Sequence, residues 1–329
     1  CTQQSAAPGR GVRPEPYSRQ RGALIRKLRA ARNRSERLEL IEQFRPLENI
    51  KEFGICITAL GRAGDHQGAL SLLAEARATR VTPDVIAYNA AISACEKAGR
   101  WGQAVSLLRE VRESGLVPNV VTYTAAISAC GKAGRWRQAL SLLREVHESG
   151  LKPNVITYSA AIQACAEGGQ DEHALRRFTD IEKSQALQAN YVTFNAVLDA
   201  VCSADRLRAR TIYLSALRRG MYANVESQGE QAGWQLDLHG HSEGAAETAV
   251  RWWLEDEIPA RLQAARDPPG ETLGIVTGWG RSRALHQRSD VRGRVQAVLR
   301  DMGLHAVESS NPGLVVVDVA ALRQQIRRS

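Results

Sequence analysis

No run of eighteen apolar residues occurs anywhere in the 329 residues, so the sequence offers no segment able to cross a bilayer as a helix, and no membrane partner is expected. Cysteine is also scarce. There are six, and three of them, Cys95, Cys130 and Cys165, are evenly spaced. If the segments carrying them stack as parallel helix pairs, equivalent positions lie roughly 10 Å apart, beyond disulfide reach. They are expected to be small buried thiols in a reducing compartment. His239 and His241 form an HxH pair, but no third or fourth ligand follows at zinc spacing. The glycine loop TGWG lacks the Lys and Ser or Thr of a P-loop. A zinc site and an organic cofactor are therefore not expected. The first residue is Cys1 rather than Met, and the expectation is that the true beginning lies upstream.

What is present is a hydrophobic content of 43%, enough for a buried core, in a length that suits two or three domains. The net charge of +9 divides into +6 over residues 1–49, +4 over 50–229 and −1 over 230–329. Such a basic excess steers polyanions, although solvated helix faces produce the same count. Residues 1–22 are rich in Pro, Gly, Ser and Arg and are expected to be unfolded. They suit either the tail of an Arg-rich organelle transit peptide or a basic linker. The following LIRKLRAARNRSERLELIEQF has helical spacing and is expected to cap what comes next, which completes a basic N-terminal segment over 1–49.

From residue 50 the chain repeats itself. VIAYNAAISACEKAGRWGQAVSLLREV (85–111) returns as VVTYTAAISACGKAGRWRQALSLLREV (120–146), and Phe53, Tyr88, Tyr123 and Tyr158 are each 35 residues apart, with Phe194 following after 36. Five units result, starting near Ile50, Val85, Val120, Val155 and Tyr191 and filling residues 50–225. Tyr88, Ala91, Ile92 and Cys95 mark one buried face of a first helix. The KAGR around Gly99 breaks it, Ala104, Leu108 and Val111 mark a second helix, and Gly115 with Pro118 stops that one. Stacked hairpins of this kind make an α-helical solenoid.

This pattern resembles the pentatricopeptide repeat, through VTYTAAISACGKAGR, ALSLLREV and SGLKPN at the family's own period; the tetratricopeptide unit is one residue shorter. In that family each unit reads one base of single-stranded RNA through the residue at position five and the unit's last residue. The resemblance assigns these roles to Gly54 with Asp84, Asn89 with Asn119, Thr124 with Asn154, Ser159 with Asn190, and Asn195 with Asn224. It implies the order G, pyrimidine, A, A, pyrimidine. Apolar residues at position two, Ile86, Val121, Ile156 and Val192, would wedge between bases. The plainer alternative is that these Asn, Thr and Ser residues cap helices. Against it, two nearly identical copies differ in exactly this place, Asn89 against Thr124.

After VESQGEQAGWQ, which reads as a linker over 226–233, strand and helix alternate. WQLDLHG and ETLGIVTGWG suit strands, and the intervening SEGAAETAVRWWLEDEIPARLQAA suits a helix capped by Ser242. LHAVE and GLVVVDV are further strands, VRGRVQAVLRDMG and AALRQQIRR further helices. Strand, helix, strand implies parallel strands with a right-handed crossover, placing LDLHG and TGWG at one sheet edge.

Residues 234–329 resemble the Smr, or small MutS-related, domain through the same two motifs, LDLHG and TGWG. The resemblance implies a small α/β fold like the C-terminal domain of bacterial translation initiation factor three, with nucleic-acid binding and, in some members, metal-assisted endonuclease activity. It makes Asp237 and His239 the catalytic candidates, with Asp237 a ligand for Mg²⁺ or an orienting partner for His239. Thr277, Gly278, Gly280, Arg281 and Arg283 become candidates for holding a phosphate. Arg288, Arg292, Arg294 and Arg300 extend the basic cluster, opposed by Asp290 and Asp301. The His that follows the glycine motif in many members is absent, since Ser282 follows Arg281 directly.

The expectation is thus a monomeric RNA-binding protein of a chloroplast or mitochondrion, whose repeats select the RNA and whose tail contacts or cuts it, with room for protein partners. The alternatives are a non-catalytic RNA-stabilising factor and a helical-repeat protein scaffold.

Overall fold

The computed structural model describes residues 26–328 other than 29, 32, 223, 224, 230–232, 265–271, 278–289, 308 and 310. The chain divides into two compact units, 1–118 and 119–329.

The first unit holds α1 (Arg34–Gln43), α2 (Ile50–Arg62), α3 (His66–Ala78), α4 (Val85–Lys97) and α5 (Trp101–Glu113). Asn49 and Asp84 cap α2 and α4 by accepting backbone amides of the first turn, which is why both helices begin where the repeat units do. The buried faces are the expected ones: Phe53, Cys56, Ile57 and Leu60 on α2, and Tyr88, Ala91, Ile92 and Cys95 on α4. Each first helix packs on its own second helix, and α2 packs on α4. A Cβ on Gly61 would stand 2.9 Å from the Ala90 carbonyl, so this approach needs glycine. The capping helix is present as α1, packed on α2 and started by Asn33.

The second unit opens with three further hairpins: α6 (Val120–Lys132) with α7 (Trp136–Glu148), α8 (Val155–Glu167) with α9 (Asp171–Lys183), and α10 (Tyr191–Val201) with α11 (Arg206–Arg218). Asn119, Asn154 and Asn190 cap the first helix of each pair. Helix α8 packs between α6 and α10. Five free cysteines, Cys56, Cys95, Cys130, Cys165 and Cys202, are buried, and burial pushes the Cys95, Cys130 and Cys165 thiols up to about 11. They serve as packing.

The α/β part follows: β1 (Glu226–Gly229), β2 (Gly233–Asp237), α12 (Glu243–Trp252) running through a π turn at Trp253–Glu257 into α13 (Ile258–Ala264), β3 (Thr272–Val276), α14 (Val291–Asp301), β4 (Ala306–Val307), β5 (Leu314–Asp318) and α15 (Val319–Arg328). The sheet order is β1-β2-β3-β5-β4. Strands β2 and β3 are parallel, with Asp237 opposite Val276, so LDLHG and the start of TGWG do meet at one edge. Among the described residues no helix separates β4 from β5. Strand β5 runs antiparallel to β3 and β4, because the short β4–β5 hairpin returns the chain reversed before it joins the sheet. Residues 226–229, read as linker, form β1, an antiparallel edge strand on β2.

Candidate functional site

Two sets of residues were singled out for function, and the fold treats them differently. At the starts of α6, α8 and α10 the capping Asn holds the amide of the third helical residue, Thr122, Thr157 or Thr193. Those threonines are fully buried, and their hydroxyls donate to the same Asn Oδ1 at 3.0–3.1 Å. Asn119, Asn154 and Asn190 therefore are helix caps. Their Oδ1 atoms are committed, so a ligand would meet the amide Nδ2.

Position five is more heavily used than the sequence suggested. Thr124 Oγ1 donates to the Val120 carbonyl at 2.7 Å and lies 2.7 Å from Thr157 Oγ1 of the next hairpin. Ser159 Oγ repeats the pattern with Val155 and Thr193, both at 2.8 Å, and is only 5% exposed. Ser159, expected as a base contact, thus forms a buried link between hairpins, while Thr124 is half-buried. Asn89 is half-buried. Asn195, also expected as a base contact, donates from Nδ2 to the Gly240 carbonyl at 2.7 Å and accepts at Oδ1 from the Tyr222 hydroxyl at 2.7 Å. Its partner Asn224 lies outside the described residues.

Position two is exposed. Ile86, Val121, Ile156 and Val192 are 69%, 62%, 62% and 45% exposed. Four branched apolar side chains at the same place in successive units are held in water, which a packing role does not explain.

The second set sits at the end of β2. Leu236 and Leu238 are buried, while Asp237 and His239 alternate to the other face. Asp237 Oδ1 accepts both the His239 amide at 2.9 Å and His239 Nδ1 at 2.5 Å. The carboxylate fixes the proton on Nδ1 and leaves Nε2 as the basic nitrogen, on a ring 65% exposed. Thr277 lies beside the pair's strand, but its amide and hydroxyl both donate to the Gly313 carbonyl, at 2.8 and 3.3 Å. Expected as a phosphate contact, it forms a buried strand-end tie. Gly278, Gly280, Arg281, Arg283 and Arg288 lie outside the described residues. Of the remaining arginines, Arg294 stands 3.5 Å from Glu247, and Asp301 faces Arg251 and Arg206 rather than the cluster.

The sequence did not point to a third group, which joins α10 and α11 to the HGHS turn before α12. His241 is 3% exposed, stacked on Tyr222 with ring centroids 4.1 Å apart and 3.0 Å from the Tyr213 hydroxyl. Burial pushes its pKa down to about 4. The neutral ring donates from Nδ1 to the His239 carbonyl at 3.4 Å and accepts the Tyr213 hydroxyl at Nε2. Asp199 accepts the Gly244 amide at 2.7 Å, and burial pushes it up to about 6. The HxH spacing of His239 and His241 is the one local hint, and it reads as a metal motif rather than as a joint.

Two family models match the chain: one described as the PPR repeat family, over residues 83–132 and 118–167, and one described as the pentatricopeptide repeat domain, over 48–98. Over 89 residues the chain is 37% identical to the pentatricopeptide repeat-containing protein ATP4 homolog, chloroplastic, of Oryza sativa subsp. japonica, and 32% identical to ATP4, chloroplastic, of Zea mays. Each match takes 27% of this chain and spans 13% of the relative. Among solved structures, the chain is similar to the pentatricopeptide repeat protein PPR10 in complex with an 18-nt psaJ RNA element, with a TM-score of 0.51 and 22% identity over 78% of this chain and 37% of that one. The likeness to PPR10 from maize is comparable, with a TM-score of 0.52 and 20% identity over 86% and 38%. At these identities the structural likeness is one of fold. Residues 48–167 are thus similar to pentatricopeptide repeats.

Proposed function

We propose that the repeats bind single-stranded RNA with sequence preference and that the protein acts in RNA processing in an organelle. The observation that carries this is the exposed apolar residue at position two of four successive units, Ile86, Val121, Ile156 and Val192. Base faces are the natural partners for evenly spaced apolar side chains bordered by amide and hydroxyl groups. Asn89 with Asn119 and Thr124 with Asn154 each pair a half-buried position-five residue with an exposed Asn. The similar fold solved with RNA and the chloroplastic names of the relatives agree with this reading and with organellar placement. Selection from a random RNA pool tests it. Enrichment of a short ordered motif that shifts at one position in Thr124→Asn is the expected result, and a pool that stays random removes it.

The α/β part reads as an Smr-type domain that meets the same strand and cuts it. Asp237 orients His239, whose Nε2 takes the proton of the attacking hydroxyl. The donor set fits a resident Mg²⁺ poorly: among the described residues no three His, Cys, Asp or Glu side chains converge, and Asp237 Oδ1 is already engaged by His239. No step here runs through a metal ion. Incubation of the chain with selected RNA, with and without Mg²⁺, tests cleavage. Product that disappears in His239→Gln and in Asp237→Asn while binding persists supports the enzyme. A parent that binds without cutting leaves an RNA-binding factor.

A further inference from the structure

In the second unit each hairpin closes onto the next in the same way. The position-five hydroxyl meets the third-residue threonine of the following helix, Thr124 to Thr157 and Ser159 to Thr193. Asn195 occupies that position in the last hairpin, and what it meets is the Gly240 carbonyl in the turn before α12. Helix α12 packs on α10 and α11, and its cap Ser242 accepts the Ala245 amide of its third residue, just as Asn154 and Asn190 do for theirs. The approach is close. A Cβ on Gly131 would lie 3.3 Å from the Ala164 Cβ, between α6 and α8, and a Cβ on Gly244 would lie 2.6 Å from the Asp199 Cα. Ser242 Oγ donates to the Asn195 carbonyl, and Tyr222 closes over His241.

We infer that α12 takes the place of a sixth first helix, so that the His239–Asp237 pair is held at a fixed offset from the nucleotides bound by the preceding repeats. Asn195 is then a positioning residue that ties the His239 turn to the repeat stack, and not a base reader. This rests on the RNA-binding reading above but does not depend on cleavage. A flexibly attached tail domain would sweep many nucleotides, whereas a seated one addresses a single phosphodiester. Selectivity at the His239 turn then comes from where the repeats bind, through distance alone.

Site-directed radical scission tests this without relying on the enzyme. His239→Cys, in a Cys1→Ser background where the other five thiols are buried, is loaded with an iron–EDTA tether and bound to the pool-selected RNA. The expected result is one narrow scission band at a constant distance from the selected motif. Asn195→Asp sets a carboxylate against the Gly240 carbonyl yet keeps the acceptor for Tyr222, and Gly244→Ala pushes a methyl into the Asp199 backbone. Both should broaden the band into a ladder with affinity changed less than about threefold. Asn195→Asp is nearly isosteric, so it keeps the test standing if Gly244→Ala does not fold. A ladder in the parent, an unchanged narrow band in both variants, or a new base preference in Asn195→Asp would each overturn the inference. Failure of the parent to bind any RNA is visible before the tether is activated and instead removes the RNA reading beneath it.

Discussion

The hydroxyl of Thr124 serves its own helix through Val120 and the next hairpin through Thr157 before any ligand is present. Thr124→Val keeps the shape and removes the bond to Val120 with the polar contact to Thr157, and should cost about 1 kcal/mol in denaturant unfolding. Two buried residues nearby set a pH signature. Asp199, pushed up to about 6, favours the folded state below the ordinary carboxylate range, and that stability is lost as pH rises through 6. His241, pushed down to about 4, does the opposite: its contribution is complete above the ordinary imidazole range and is lost as pH falls through 4. Over pH 4 to 6 the two largely cancel, so the parent should show a nearly flat urea midpoint. Asp199→Asn retains the acceptor for Gly244 and leaves His241 unopposed. Its midpoint should fall steadily on acidification, and a profile as flat as the parent's would show that His241 is not the buried neutral group described.

At the level of elements, the caps separate folding from reading. Asn154→Ala should destabilise the chain by about 1 kcal/mol through loss of the α8 cap, whereas Asn154→Asp keeps the cap and should be close to neutral in thermal unfolding. If RNA preference beside Thr124 changes in Asn154→Asp, the residue reads as well as caps; if only Asn154→Ala affects binding, it caps alone. Elements were also what the sequence made most legible. The starts at Ile50, Val85, Val120, Val155 and Tyr191 coincide with helix starts, because a cap before an apolar period is a local signal. Strand direction was not legible, since the place of β5 depends on a hairpin and on which strand finally receives it. Asn195 looked like its counterparts because its true partner, Gly240, is 45 residues away. The His239–Asp237 contact was readable from two residues of spacing in a strand, while the seat of His241 between two tyrosines of the repeats was not.

For the whole molecule, charge rather than shape gives the clearest expectation. Of the described arginines of the α/β part, Arg251 pairs with Asp301 at 2.5 Å, Arg261 with Glu226 and Arg294 with Glu247 at 3.5 Å. Residues 230–329 are net −1, and the positive charge lies in the first 229 residues. RNA affinity should therefore fall linearly on a log–log plot against salt, and the slope should be little changed by Arg300→Gln. An affinity indifferent to salt would point to a protein-binding scaffold instead.

The exposed apolar residues Ile86, Val121, Ile156 and Val192 also have a bearing on handling. Apolar side chains held in water make the unliganded protein adhesive towards other apolar surfaces, its own copies included. Nucleic acid would then act as a solubilising agent as well as a target. Purified free of nucleic acid, the chain should be retained on hydrophobic resin and scatter light at concentrations where the RNA-bound form stays clear. Val121→Thr and Ile156→Thr together should bring the free chain closer to the bound one in both respects.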